Sequence, residues 1–570
     1  MKKIIFVIFF VMRLLKYIIL INFLHFTGAV SAQMLAPKKY EYRAVWLTTI
    51  ENLDWPRTKI SVPADVGRQK LELVLLLDSL KSLNVNTILL QTRLRGDVIY
   101  PSKYEPFSAV LTRTPGKSPG YDPLAFAIDE CHKRGMQLHA WLVTLPLGKM
   151  AHVKRLGRHS LRYKHPQLCR AYQGQWYMEP AEPGTAEYLK KLVNEIVSNY
   201  DVDGIHLDYI RYPDRPKNYP DHALYRRMAK GRSHADWRRD NITHIVREIY
   251  NGVKQLKPWV RVSCAPLGKH ADLSAYSSLG WNAYNTVFQE AQRWLDEGIM
   301  DILFPMLYFK GNDFYPFVRD WQENSSGRHI VPGIGVYRLL SGEGDWPLVE
   351  IKRQLNTSRS AGTAGTAMFR TKHLLQDIKG VAGCYSCIYS NAAMVPPMPW
   401  ASKGLLAAPA NIRYEQCGDT LRLSWSAVKA HEGMPPVRYN IYASLQYPVD
   451  LSDTGNLVAT ALSDTSFVAL RSPVATTYWV VVPVDAYGVE GWVAECKVEG
   501  CNPKLYRDEF NLPESSTWGM RVHIRSTSGV LLYDVPYNRC VGVRGLSRGA
   551  YMLEVALRDG TVVKRVPFTR

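Results

Sequence analysis

The sequence predicts an α/β chain: an eight-stranded TIM-type barrel followed by all-β modules. Three observations predict it. Apolar strands alternate with amphipathic helical stretches from residue 42 to about 375. The strands are apolar at nearly every position, as parallel strands covered on both faces should be. Beyond the proline-rich MVPPMPW at 394–400 the pattern turns to short period-two strands separated by turn residues. A chain of 570 residues exceeds a single core, so several domains are expected, and a composition of 46% hydrophobic and 21% charged residues is that of folded protein.

In order, YRAVWL at 42–47 is the first strand. A helix over 66–83 follows, with Leu73, Leu76, Leu77, Leu80 and Leu83 at helical spacing. NTILLQ at 86–91 is the second strand, and the helix over 124–134 stops at Gly135, which suits a left-handed terminus. QLHAWL at 137–142 is the third. A helix over 185–200 leads into GIHLDYI, the fourth, and Ile242, Ile245, Val246, Ile249, Val253 and Leu256 line the barrel-facing side of the next helix. VRVSCAP at 260–266, DILFPMLYF at 301–309, HIVPGIGVY at 329–337 and TAGTAMF at 363–369 supply strands five to eight, and a helix over 347–360 packs outside. The barrel domain is expected over 41–400.

LRLSW, RYNIYAS and YWVVVPVDAYGVEG predict a β-sandwich over 405–500 that resembles a fibronectin type III domain, with Trp425 in place of its core tryptophan and Tyr442 in place of its strand tyrosine. The remaining 503–570 predicts a small β-domain, similar to the carboxy-terminal sorting domains of type IX secretion substrates in Bacteroidetes. At the other end, residues 1–32 read as a secretory signal: Lys2 and Lys3 precede an apolar run, and Val30, Ser31 and Ala32 suit signal peptidase. The uncharged stretch 17–24 is too short to span a bilayer, so membrane contact is expected only through the export signal. The expected location is secreted or periplasmic, or the cell surface.

The formal charge is +20, with four of the positive charges (Lys2, Lys3, Arg13, Lys16) in the leader; the excess on the rest favours an acidic glycan or another anionic surface. Nucleic acid is not expected, because zinc-finger spacing, a helix-turn-helix and RNA-binding aromatic signatures are missing from the sequence. Nine scattered cysteines do not make a disulfide scaffold. Cys384 and Cys387 form a lone CxxC, read as a local disulfide or two packed thiols, and Cys417 with Cys496 and Cys501 with Cys540 are candidate bridges. Nothing in the sequence speaks to oligomeric state.

In a TIM barrel the functional side chains gather at the carboxyl ends of the strands. The second strand exits into QTRLRGDVIYPS, placing Gln91, Arg93 and Asp97 near the mouth. The third exits through His139 and Trp141, the fourth through His206, Asp208, Arg211 and Tyr212, the sixth through Met306 and Tyr308. Acids, arginines and aromatic planes on one rim are the composition of a sugar site. Glycosidic cleavage needs one carboxylate to attack the anomeric carbon or activate water, and an acid to protonate the leaving oxygen. Asp208 is the expected nucleophile or general base. Glu290, Asp97 and Glu179 compete for the acid, with Glu290 favoured. Arg93, His139, Trp141, His206, Arg211, Tyr212 and Tyr308 are the expected substrate contacts. Asp301 and Asp203 begin their strands and are expected to make structural contacts at the opposite end.

EYRAVWLTT, QTRLRGDVIYPSKYEPFS, PGYDPLAFAIDECHKRGMQLHAW, VDGIHLDYIRYP and GIMDILFPMLYF occur in order, and together they resemble the glycosyl-hydrolase-like family 10 domain of bacterial envelope proteins. The resemblance implies a TIM-barrel glycoside hydrolase acting on a cell-wall glycan, including peptidoglycan strands stripped of their peptides; the hydrolysis expected at Asp208 uses carboxylates, without metal or cofactor. Arg93, Asp97, His139, Trp141, His206, Asp208 and Arg211 fall on the family's motif positions. Two departures imply a shifted glycan specificity. Trp141 is followed by Leu142, Val143 and Thr144 where the family has Trp-x-Asn-Pro, and Met306 stands where it has glutamine after proline. Two rival readings are a non-catalytic glycan-binding protein on the same scaffold and a metal-dependent deacetylase or phosphodiester-cleaving barrel, which would need a compact His/Asp set that these dispersed histidines do not provide.

Overall fold

The computed structural model describes residues 38–570, except 277, 279, 418–419, 471–476, 499–508, 512–520, 527–530, 537–539, 543–549, 557–561 and 570; the expected signal, 1–32, lies outside the described residues. Strands one to six are Tyr42–Leu47, Thr87–Arg93, Gln137–Val143, Gly204–Asp208, Arg261–Cys264 and Ile302–Leu303, and strand eight is Gly365–Met368. All pair in parallel. Strand seven closes the ring in two short pieces. His329–Ile330 pairs with strand six, and Gly333–Ile334 pairs with strand eight. Pro332 between them has no N–H to give, yet its carbonyl accepts from Ala367 N at 3.0 Å. The sheet therefore returns on itself, and the result is a TIM-like α/β barrel.

Side-chain alternation splits the core in two. Ala44, Trp46, Leu89, Trp141, Phe304 and Ala367 fill the barrel interior, while Val45, Leu47, Ile88, Leu90, Leu138 and Ile205 pack outward against the helices. The outer layer is built from Ala64–Ser82, Pro123–Lys133, Pro183–Asn199, His234–Leu256, Tyr315–Glu323 and Leu348–Ser360. Asp122 caps the second of these by accepting from Leu124 N and Ala125 N. On His234–Leu256 the expected apolar face is buried from Ile242 to Val253, but Leu256, the last residue of the helix, is 43% exposed. One element was not anticipated. After strand three the chain makes a three-stranded antiparallel excursion, Pro146–Lys149, Cys169–Tyr172 and Gln175–Met178, before rejoining the barrel helices.

Beyond the barrel, a three-stranded and a four-stranded antiparallel sheet share a core of Leu421, Leu423, Trp425, Tyr439, Ile441, Trp479 and Val481. Tyr442, Val480 and Val482 from the four-stranded sheet pack with Met394 at the amino-terminal end of the barrel. There Glu490 takes Lys39 Nζ at 2.6 Å and the Tyr442 hydroxyl at 2.6 Å. A cavity of about 500 Å³ remains at this junction, lined by His132, Asp203 and Arg261 on one side and Arg438 and Asn440 on the other. The carboxyl ends of the strands face the other way. The last segment carries a four-stranded antiparallel sheet, in the order Leu531–Pro536, Arg521–Ser526, Ala550–Ala556, Val562–Thr569.

Cys384, Cys387 and Cys496 are free thiols, so the local CxxC disulfide is not formed and Cys496 takes part in no bridge; the side chains of Cys417, Cys501 and Cys540 lie outside the described residues. Among the described residues no helix is long and apolar enough to cross a membrane.

Candidate functional site

Strand four sets the depth of the site. Gly204, His206 and Asp208 follow one another on the inward face. A Cβ on Gly204 would stand 2.6 Å from His139 Nδ1, so a glycine is what lets His139 fill the lowest layer. His139 pairs in register with Gly204, and Trp141 with His206. Asp208 ends the strand at the mouth.

The Asp208 carboxylate is nearly buried, with 6% of the residue exposed. Its Oδ2 accepts from Trp141 Nε1 at 3.0 Å, and its Oδ1 from Tyr209 N at 2.8 Å. Thr144 locks the strand end by donating both N–H and hydroxyl to the Asp208 carbonyl, at 2.9 and 2.8 Å. Tyr209 then turns with φ +52, a left-handed conformation that costs a bulky residue energy and that persists where the surroundings enforce it. Burial pushes the Asp208 pKa above the usual carboxylate range, while the Arg211 charge, the Trp141 and Tyr209 hydrogen bonds and the Arg95 charge pull against it. A carboxylate so held is rigid and basic, the state suited to a nucleophile or general base.

Tyr308 belongs to the same mouth. Its ring stacks on Phe369 at 5.0 Å, its hydroxyl is buried without a hydrogen-bond partner, and its pKa is raised well above the ordinary value, first by burial and then by the Asp208 charge. Arg211 is 5% exposed; Nη1 meets Asp214 at 2.5 Å, and the guanidinium carbon lies 4.7 Å from the Tyr209 ring centroid.

Several other expected site residues are enclosed by the fold. His206 is fully buried below Asp208, where Nε2 accepts from Trp46 Nε1 at 3.2 Å and Nδ1 lies 3.0 Å from Ser263 Oγ. Burial holds its pKa well below normal, and that of His139 falls to about 3. Both are neutral interior side chains rather than rim groups. Tyr212 is fully buried against Tyr219 and Phe288, with Arg238 over its ring at 5.1 Å, so it offers no face to a sugar.

Arg93 is enclosed as well. Glu105 holds it bidentately at 2.7 and 2.6 Å, and Nη1 bonds the carbonyls of Val143 and Thr144. It ties the end of strand three to the loop after strand two. Glu290 sits on the helical exterior, where Arg293 joins it at 3.0 Å and also reaches Asp240 and Glu297. Its neighbour Gln289 is the one pointing inward, with Nε2 donating to Ile210 O at 3.3 Å. Asp97 is 3% exposed in the tight loop after strand two, and its Oδ1 accepts from Arg95 N at 3.0 Å. Glu179 is wholly buried at the root of the excursion; burial raises its pKa to about 7, and Ala181 N donates to it at 3.2 Å. Asp301 and Asp203 are structural at the far end, paired with Lys254 at 2.7 Å and His132 at 2.8 Å.

Arg95 and Tyr177 were missed. The Arg95 guanidinium carbon lies 5.4 Å from the Tyr209 ring centroid, and the charges of Arg95 and Arg211 both act on the Tyr177 hydroxyl, which comes from the excursion. The motif LRGD holds the signal for Arg95, but the register of strand two against strand three shifts between Gln91 and Arg93, so counting by twos misassigns the facing residue there.

The sequence model of "Glycosyl hydrolase-like 10" matches residues 41–337. The glycosyl hydrolase YngK of Bacillus subtilis (strain 168) is 32% identical over 381 residues, 63% of this chain and 74% of that protein. The glycosyl hydrolase DigH of Escherichia coli (strain K12) is 29% identical over 365 residues, 58% of this chain and 83% of that protein. Among solved structures, the glycoside hydrolase domain of PgaB (BpsB) from Bordetella bronchiseptica aligns over 60% of this chain and 98% of its own, at 13% identity and a TM-score of 0.39. An alpha-L-fucosidase isoenzyme 2 from Paenibacillus thiaminolyticus aligns over 61% of this chain and 49% of its own, at 17% identity and a TM-score of 0.41.

Proposed function

Because the chain belongs to the glycosyl hydrolase-like 10 family, we propose that its barrel is an exported glycoside hydrolase that cleaves a bacterial cell-wall-type glycan, with peptide-free peptidoglycan strands as the leading substrate. The observation that carries this reading is Asp208: a carboxylate at the open end of a barrel strand, fixed by Trp141 and Tyr209 N, with burial working to raise its basicity. In the proposed reaction Asp208 attacks the anomeric carbon or takes the proton of an attacking water, while a second carboxyl gives its proton to the leaving oxygen. Asp97, on the loop that also carries Arg95, is the acid in this proposal. Tyr308 offers its unpartnered hydroxyl to the bound sugar, and its ring, with Phe369, supplies an apolar surface beside it. The names of YngK and DigH, both glycosyl hydrolases, support the reaction class.

The test is incubation of the full chain with peptide-free peptidoglycan strands and with acidic polysaccharides, comparing the native protein with Asp208→Asn. Products from the native protein alone support the proposal; equal products from both, or none from either, refute it. Binding without products would favour a glycan-binding protein on this scaffold, a reading supported by the ion pair that ties Glu290 to Arg293.

A further inference from the structure

We infer that Arg95 recognises a carboxylate carried by the sugar that binds beside Asp208, which makes it a specificity-determining residue; the inference rests on the glycan reading above. Arg95 leaves strand two at the mouth and stands half-buried beside Tyr209, the residue after Asp208. Among the described residues its positive charge acts on the Asp208 carboxylate without forming an ion pair. The arginines around it are paired, Arg93 with Glu105 and Arg211 with Asp214. Among the described residues Arg95 has no carboxylate within ion-pairing distance, and its Nη1 reaches only the carbonyl of Leu94, at 3.2 Å.

A solvated surface arginine would be free along its whole length, and this one is not. Gly148 of the excursion presses on its stem: a Cβ there would come within 3.3 Å of Arg95 Cβ, at a φ of +93 that also favours glycine. His152 Nε2 lies 3.1 Å from the Arg95 carbonyl, and Asp97 Oδ1 accepts its N–H. Backbone and stem are thus seated between the loop after strand two and the excursion after strand three, and the guanidinium is left to meet a ligand. A second donor lies close by. Arg211, 5% exposed and 4.7 Å from the same Tyr209 ring, keeps its Nε buried without a hydrogen-bond partner.

Two guanidinium groups flanking one aromatic ring match a planar, doubly accepting anion held against a sugar face. A carboxylate on the saccharide meets that description, whether it is the C6 carboxylate of a uronic acid or a lactate joined through an ether. The net positive charge of the chain acts in the same direction.

The test uses full-length protein carrying Asp208→Asn, so that binding is read without cleavage. The probes are peptide-free peptidoglycan strands, which bear ether-linked lactate, and a polyuronate. Each is used intact and after reduction of its carboxylates to alcohols. Adding Arg95→Gln is expected to weaken binding of one intact polymer about 10- to 100-fold and to leave its reduced form within about twofold; the responding polymer identifies the source of the carboxylate. Equal binding of intact and reduced polymers by the Arg95 protein, or an equal loss on both with Arg95→Gln, overturns the inference. Should Arg95→Gln not fold, Arg95→Lys keeps stem and charge but loses the planar fork, and an unchanged preference for the intact polymer is then the overturning result. Carboxylate-selective binding without products from the native protein upholds Arg95 and sinks the hydrolase. Products formed without carboxylate preference do the reverse, and failure to bind any polymer sinks both.

Discussion

Trp141 donates its indole N–H to Asp208 Oδ2 at 3.0 Å, across two adjacent parallel strands whose register sets Trp141 beside His206 and Val143 beside Asp208. The bond joins an interior core residue to the carboxylate at the mouth, so packing of the barrel interior fixes the geometry of the site. Because it favours the charged form of a group that burial pushes the other way, it also tunes the proton affinity.

Trp141→Phe keeps an aromatic side chain, smaller than the indole, and removes the donor. The acid limb of the kcat/KM profile, set by protonation of Asp208, is expected to move to higher pH, since one interaction favouring the carboxylate is gone. At pH 7, kcat/KM should fall about tenfold. A pH-rate profile of both proteins on the same glycan checks it; an unmoved acid limb contradicts it.

Arg93 and Glu105 form a pair with side chains 0% and 1% exposed. Arg93→Met leaves a buried carboxylate without its partner and should cost about 3–5 kcal/mol. Arg93→Met with Glu105→Leu removes both charges and should cost clearly less. Urea unfolding of the two variants reads the difference, and equal losses would show that the pair is not coupled.

Glu290→Gln should leave kcat/KM within about twofold and cost less than about 1 kcal/mol, because the residue belongs to a half-exposed ion-pair network around Arg293. A large loss of turnover with unchanged melting temperature would return Glu290 to the reaction.

Glu179 gives a pH signature of stability. Its folded pKa is raised to about 7 from an ordinary 4.5, so the folded chain keeps the proton longer than the unfolded one. Stability should therefore decline as pH climbs from about 4.5 to about 7 and level off beyond. Glu179→Gln keeps an acceptor for Ala181 N and removes the charge. Its stability should lack that decline, and at pH 7.5 it should exceed the native protein by about 2–3 kcal/mol. Denaturant titrations at pH 5 and 7.5 give the comparison.

Much of the barrel could be read from residue patterns. Nearly continuous apolar runs marked the eight strands, and leucines three and four apart marked the helix Ala64–Ser82. Asp208 was legible because a lone acid that ends an apolar strand has few places to go. The excursion Pro146–Met178 was not, since its strands are four residues each and carry mixed burial. Among site residues the split follows depth and partners. Trp141, Asp208, Arg211 and Tyr308 come together, whereas Arg93 and Arg95, two residues apart in one motif, have opposite fates.

Strand order, the carboxyl ends where functional groups gather, and the acid at the end of strand four follow from the sequence, because period and hydrophobicity are local properties of the chain. Which of those groups keeps its charge available was decided by tertiary structure. Glu105 takes up Arg93, Arg293 takes up Glu290, and the interior encloses both histidines. The physical reason is that neutralisation and burial depend on distant partners, and no residue carries in its own neighbourhood of sequence the identity of the group that folding will set against it.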